Sequence, residues 1–259
     1  METTLKKWIN PLINRLGKTK EENHFSRPPV ILGGCARSGT TLLLAVLSAH
    51  PSFFTIPKEI RLFSRWKPNP EGDQPPLIPC RMDRLYRYLL VRSIPDSATR
   101  WLEKDTINIR YFQQILDYYQ GEVRLVHIIR DGRDVMTSYH PKRPDAFWVE
   151  PDRWVFDMQE GLKYADHPLV YTLKYEDLVL RYEETVKKLL EFLGEDFHPH
   201  LREWHLHTPI QRSQGWFGGV QRTHARSIGK WKQDRYQERV REIMAHPEAR
   251  KMLETLGYL

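Results

Sequence analysis

Cysteine is scarce. Cys35 and Cys80 are the only two in 259 residues. They form no disulfide framework and no metal-ligand spacing, so a reducing compartment is expected and no bound metal is. Long apolar runs are also missing: no stretch of about 18 apolar residues exists, so no helical membrane span is expected. No signal-peptide pattern opens the sequence, and a cytoplasmic location is the expectation. Internal repeats and low-complexity segments are absent. Charge of one sign does not dominate either. Lys and Arg number 40 against 33 Asp and Glu, a formal net charge of +7. That surplus favours anionic ligands without choosing among phosphate, sulfate, acidic polysaccharide, nucleic acid and anionic lipid. The basic residues are dispersed among acids and no nucleic-acid motif appears, so nucleic acid is not an expected partner.

What is present is enough chain for one large α/β domain. The expected organisation is a basic lead-in over residues 1–27 and a single domain over 28–259. In the lead-in, Leu5, Trp8, Ile9, Leu12, Ile13 and Leu16 recur at helical spacing, with Lys6, Lys7, Arg15 and Lys18 elsewhere around the turn. Pro11 argues for a break, or for a short helix starting there with Asn10 as its cap. Docking on its own domain, or a frayed terminus, is the favoured reading of this segment. Peripheral contact with an anionic membrane through residues 5–18 is the alternative.

The most informative stretch runs from Val30 to Leu44. Val30 to Leu32 reads as a buried strand, Gly33 to Gly39 as a glycine-bearing turn, and the residues through Leu47 as a helix. A strand feeding a glycine loop feeding a helix N-terminus makes a phosphate cradle, because the loop N–H groups point inward and the helix dipole favours an anion. Against the P-loop pattern G-x-x-x-x-G-K-[ST], Gly34, Gly39 and Thr41 fit, but Thr40 stands where the lysine belongs. With that lysine missing and Arg37 inside the loop, the expected ligand is phosphate-rich but not a triphosphate.

Further along, Phe53 to Ile56 reads as a short strand, and Glu59 follows it at a polar tip. A carboxylate outside the end of a strand in a parallel sheet is placed to act as a base. Residues 66–80 are proline-rich and read as a loop. Residues 81–103 read as helical and basic with an interruption near Pro95, and a helix is expected up to Tyr119. Val123 to Ile129 is a second buried strand, carrying Arg130-Asp-Gly-Arg-Asp134 at its end and Ser138 beyond. Arginine forks and a hydroxyl suit a second anion site, while Asp131 and Asp134 could instead neutralise both arginines. Residues 139–153 read as irregular, Leu169 to Leu173 as a third strand, and 198–230 as loop-rich. His198, His200, His205 and His207 there read as loop residues.

Taken together these pieces resemble a family. Ala36-Arg-Ser-Gly-Thr-Thr-Leu42, Pro57-Lys-Glu-Ile-Arg-Leu-Phe63, Glu103-Lys-Asp-Thr106, Ile129-Arg-Asp-Gly-Arg-Asp134 with Ser138, Lys174-Tyr-Glu-Asp-Leu178 and Gly229-Lys-Trp231 occur in the order found in sulfotransferases that use 3′-phosphoadenosine 5′-phosphosulfate (PAPS). The resemblance spans residues 28–235. It implies an α/β fold with a central, mostly parallel sheet flanked by helices, and a P-loop that holds PAPS with no metal required. By that resemblance Arg37, Ser38, Gly39, Thr40, Thr41 and Leu42 cradle the 5′-phosphosulfate, and Arg130 and Ser138 bind the 3′-phosphate. Tyr175 and Lys230 match positions that touch the nucleotide. Glu59 matches the catalytic base of the Golgi-type carbohydrate and tyrosylprotein enzymes, and Arg37 and Lys104 the cations that stabilise the transition state. The implied acceptor is a hydroxyl on a carbohydrate, phenol or tyrosine. Ala36 replaces a common proline, Arg61 replaces a small or imidazole residue, and Lys142 falls where a further 3′-phosphate arginine can occur. The acceptor pocket is expected from residues 64–100, 139–153 and 198–225, with Trp66, Arg84, Tyr88, Trp101, Tyr139, Phe147, Trp148, Trp204 and Trp216 as aromatic and basic candidates. Competing readings are a P-loop kinase or nucleotide hydrolase, and a non-catalytic anion-binding module.

Overall fold

The computed structural model describes residues 2–69, 77–140, 142–211, 220 and 225–259. In chain order the strands are β1 (Val30–Gly33), β2 (Phe53–Thr55), β3 (Trp66–Pro68), β4 (Leu77–Pro79), β5 (Arg100–Lys104), β6 (Arg124–Ile129), β7 (Tyr139–His140), β8 (Arg143–Phe147) and β9 (Val170–Lys174). The α-helices are α1 (Glu2–His24), α2 (Thr40–Leu47), α3 (Met82–Leu90), α4 (Phe112–Tyr119), α5 (Gly132–Met136), α6 (Pro151–Leu162), α7 (Tyr175–Leu180), α8 (Tyr182–Leu193), α9 (Trp204–His207), α10 (Gln237–Ala245) and α11 (Pro247–Thr255).

Five strands form one parallel sheet in the order β2-β5-β1-β6-β9. The sheet is covered on both faces, as a parallel sheet requires, and β1 and β6 are nearly continuous apolar runs. On one face Val30, Leu32, Leu102, Val126 and Ile128 pack against the leucine-rich α2 and against Val186, Leu189, Leu190 and Leu193 of α8. On the other, Ile31, Phe54, Trp101 and Leu125 meet Leu85 and Leu89 of α3 and Ile115 and Leu116 of α4. A third cluster joins Ile129, Val135, Trp154 and Met158 to Ile243 and Leu253 near the C-terminus. The central, mostly parallel α/β sheet expected from sequence is therefore the observed architecture.

Several local expectations change. The segment 81–103 is not helical throughout. Arg100–Lys104 is a fully buried strand inserted between β1 and β2. The proline-rich stretch contains an antiparallel pair, β3 with β4, of which residues 70–76 lie outside the described part. The stretch after Tyr139 forms a second antiparallel pair, β7 with β8. The residues before Tyr119 begin as a 3₁₀ turn, Thr106–Tyr111, ahead of α4.

Pro11 does not break the first helix; it lies inside α1. An interior proline costs about 3 kcal/mol, and tertiary docking offsets that cost. Ile13 packs into the core beside α3. Lys20 Nζ donates to the carbonyls of Leu89 and Arg92 at 2.7 and 2.9 Å, and Trp101 Nε1 donates to Glu21 Oε1 at 2.6 Å. Burial pushes the Glu21 carboxyl above its usual range. The docked reading of the lead-in is the one observed, while Ile9, Leu12 and Leu16 face outward.

Gly17 gives this docking a test of sign. A Cβ there would stand 2.2 Å from Tyr86 Cβ and 2.8 Å from Tyr86 Cα. On an undocked helix, Gly17→Ala would stabilise by about 0.5–1 kcal/mol through helix propensity. On the docked helix it is expected to destabilise by about 1–3 kcal/mol through overpacking. Urea unfolding of the two proteins decides between the signs.

Candidate functional site

The expected catalytic and donor-binding residues gather at the carboxyl edge of the sheet, around the ends of β1, β5, β6 and β9, where ligands bind in open α/β folds. β1 leads into the loop through Gly33. Gly34 follows at φ 153, where a Cβ would meet the Ile128 carbonyl oxygen at 2.6 Å. Arg37 takes the left-handed conformation at φ 71, which is rare for a side chain of its size. Such local strain persists where the surrounding structure holds it. Gly39, at φ 99, closes the loop and precedes α2. Thr40 is buried, and Thr41 and Leu42 are half-buried on the first turn of the helix. The Ser38 side chain is completely buried, and its Oγ has no hydrogen-bond partner among the described residues. A buried hydroxyl with no partner suits a site built to receive an anion.

Arg130 ties the second anion site to this loop. It leaves the end of β6 and donates through Nη1 to the Arg37 carbonyl at 3.0 Å. It also donates to the Ser227 carbonyl and lies 4.3 Å over the Tyr175 ring. Tyr175, at the start of α7, presses on Gly39, where a Cβ would fall 2.4 Å from its ring. Its hydroxyl shares a 2.6 Å hydrogen bond with Ser227 Oγ. Lys230 Nζ donates to Ser138 Oγ at 2.6 Å. Arg37, Arg130, Ser138, Tyr175 and Lys230 thus meet as one group, as sequence suggested. Burial lowers Arg37 from its ordinary value, with Arg130 the second cause. Burial, and then Arg130 and Arg37, push the Lys230 ammonium down to about 7. Cations that depress one another in this way await an anion.

The alternative in which Asp131 and Asp134 pair with both arginines is realised, tightly for one and loosely for the other. Asp131 takes Arg133, with Nη2 at 2.8 Å and Nε at 3.0 Å. Asp134 Oδ2 pairs with Arg130 Nη2 at the longer distance of 3.8 Å, and its carboxylate also accepts from backbone N–H groups.

Two strands away, Lys104 Nζ donates to Glu59 Oε1 at 2.6 Å. Lys104 ends β5 opposite Leu32 of β1, one residue before the glycines. Its side chain is 9% exposed and that of Glu59 is 39% exposed, so the carboxylate is open to an incoming group while the ammonium is not. Behind them Glu103 is fully buried, and Asn108 Nδ2 bonds both Glu103 Oε2 at 2.8 Å and the Leu32 carbonyl at 3.1 Å. Burial raises Glu103 to about 8 and Asp105 to about 6.

Other sequence candidates fall differently. Trp101 and Trp204 are buried core residues and are removed from the acceptor pocket, because each fills space between helix and sheet. Tyr88 packs at the edge of that core. Trp148 lies with its ring 5.7 Å from the Arg37 guanidinium, while Tyr139 and Phe147 stack at 5.0 Å in the β7–β8 pair. Lys142 is exposed in the turn of that pair. Trp216 lies outside the described residues. Ser227 and Asn108 were not foreseen; each acts through partners distant in sequence, and no motif marks them.

The sulfotransferase domain profile matches residues 27–213. The chain belongs to the sulfotransferase domain family. A curated relative, the protein-tyrosine sulfotransferase of Drosophila melanogaster, is 24% identical over 189 residues, which cover 64% of this chain and 38% of that protein. This chain thus spans well under half the length of that relative. Among solved structures, the sulfotransferase domain of the Synechococcus PCC 7002 olefin synthase superposes with a TM-score of 0.62 at 17% identity, covering 92% of this chain and 98% of that one. A mouse sulfotransferase complexed with PAP gives 0.52 at 12% identity, covering 95% and 94%. These likenesses show that the sulfotransferase fold is shared.

The packing of Tyr175 against the loop leaves no room for a side chain at Gly39. Gly39→Ala adds a clash with the ring and an unfavourable left-handed φ. Thermal melting and urea unfolding are expected to show a loss of about 1–3 kcal/mol.

Proposed function

We propose that this sulfotransferase domain moves a sulfuryl group from PAPS to a hydroxyl acceptor, with Glu59 as the general base. The observation that carries this reading is the 2.6 Å Glu59–Lys104 pair at the same sheet edge as the joined anion sites around Arg37 and Arg130. The orphaned Ser38 Oγ and Arg130 Nε, and the depressed Lys230, fit a ligand with phosphate at both ends. In this reading the loop from Arg37 to Leu42 holds the 5′ end, and Arg130, Ser138 and Lys230 hold the 3′-phosphate. PAP in the mouse neighbour supports the assignment.

The chemistry is a displacement at sulfur. The acceptor oxygen forms the new S–O bond as the bond from sulfur to the bridging oxygen breaks. Glu59 takes the acceptor's proton, and Lys104 holds that carboxylate in place. Negative charge that grows on the departing phosphate meets Arg37 and Lys104, fixed cations of the kind worth a few kcal/mol in a transition state. Orientation of the two reactants within the site supplies much of the remainder.

The rim beside Glu59 is cationic. Arg84 is lowered from its ordinary value by burial and then by Arg81, with Arg61 and Arg65 also acting on it and only Asp83 opposing. Arg61 itself holds a left-handed φ of 52 two residues after Glu59. A rim of this charge, with the fly relative's name, favours a tyrosine flanked by acidic residues as the acceptor to offer first.

Glu59→Gln is expected to lower turnover by roughly 10²–10⁴-fold while PAP still binds with wild-type affinity. Turnover assays with an acidic tyrosine peptide, paired with calorimetry, check both halves. Wild-type turnover in the variant would remove Glu59 from its role.

Lys230 sets the pH response. Its free-protein value of about 7 rises when a phosphate anion joins it, so ligand binding takes up a proton above pH 7. PAP affinity is therefore expected to be full below about 7 and to fall as pH rises through 7 and beyond. Calorimetry at pH 8 in buffers of different ionisation enthalpy reads the uptake directly, and Lys230→Met abolishes it.

A further inference from the structure

We infer that Asp134 is a positioning residue that pins the 229–231 turn onto the second anion site and so delivers Lys230 to the nucleotide's 3′-phosphate. The inference rests on the donor assignment above.

A carboxylate among the cations of an anion site is an oddity, because it repels the ligand and competes for the arginines. Asp134 is fully buried there. Besides a 3.8 Å pairing with Arg130, its lone pairs are engaged at shorter range by main-chain donors: Gly229 N donates to Oδ2 at 2.7 Å and Trp231 N to Oδ1 at 3.1 Å. Both donors flank Lys230. Gly229 sits at φ 69, the left-handed conformation that glycine adopts at little cost. The turn there lets both N–H groups reach one carboxylate.

The same residue acts a second time through its backbone. Ser138 Oγ donates to the Asp134 carbonyl at 2.8 Å, and Lys230 Nζ reaches that Ser138 Oγ at 2.6 Å. One residue thus fixes the turn that carries the lysine and the serine that the lysine meets. Arg133, occupied by Asp131, lies 3.9 Å over the Trp231 ring and clamps the turn from its other side. Hydrogen bonds to an ionised acceptor are about twice as strong as neutral ones, which accounts for an acid at this position.

The test compares wild type, Asp134→Asn and Asp134→Ala in two measurements, with melting curves to establish folding. Hydrogen exchange of the free protein over residues 228–232 is expected to quicken in Asp134→Ala and, to a lesser degree, in Asp134→Asn, which keeps one acceptor. PAP affinity is expected to fall roughly 10- to 100-fold in Asp134→Ala, while binding of adenosine 5′-monophosphate, which lacks the 3′-phosphate, stays near wild type. Unchanged exchange, or equal losses for the two nucleotides, overturns the inference. If the alanine variant does not fold, the asparagine variant decides by the same criteria. Wild-type protein that binds neither nucleotide would refute the donor assignment, and exchange alone would then decide the role of Asp134.

Discussion

The contact on which the site depends is Arg130 lying on Tyr175 while it donates to the Arg37 carbonyl. That one guanidinium joins three separate parts of the chain: the loop after β1, the start of α7 and the segment around Ser227. It links the loop's left-handed Arg37 to the far anion site. Tyr175 in turn presses on Gly39, so the loop is held from both ends. The parallel register of β5, β1 and β6 then places Lys104 beside this assembly, and Lys104 holds Glu59 there. The site is an edge property of the sheet.

Electrostatics follow from the same arrangement. Arg37, Arg130 and Lys230 share a buried space, and Lys230 yields first because a lysine gives up its proton more readily than an arginine. The acids nearby cancel these cations only in part. Asp131 is taken by Arg133 and Glu103 by Asn108, while Asp134 pairs with Arg130 at 3.8 Å and also accepts from two backbone N–H groups. A kinase or nucleotide hydrolase of the P-loop type would need the lysine that Thr40 replaces, to reach a terminal phosphate. This site places its extra cations at the opposite end, around Ser138, where a 3′-phosphate would lie.

Much of this was readable in the sequence because it is written locally. β1 and β6 are short apolar runs, the loop carries its glycines, and Arg130 and Ser138 keep a fixed spacing on one strand-to-helix turn. β5 was hidden because Arg100-Trp-Leu-Glu-Lys104 looks like a surface segment. Its basic residues are answered by partners far away in the chain, Arg100 by the Leu193 carbonyl and Glu195 and Lys104 by Glu59, and Glu103 by Asn108 across the next turn. The helix through Pro11 was hidden for a like reason, since its support comes from α3 and from Trp101. Trp101 and Trp204 were misassigned to the acceptor pocket because residue type does not reveal which face of an element is covered. Ser227 left no signal, as its work is done by one carbonyl and one hydroxyl.

The central claim is that the loop with Thr40 in place of lysine, joined to the site around Arg130, is made for a nucleotide with phosphates at 3′ and 5′. Calorimetric titration with PAP in the presence of EDTA, set against ATP with magnesium, tests it most directly. Tight binding of PAP without the metal, and weak binding of ATP with or without it, are expected. Magnesium-dependent ATP binding tighter than that of PAP would contradict it.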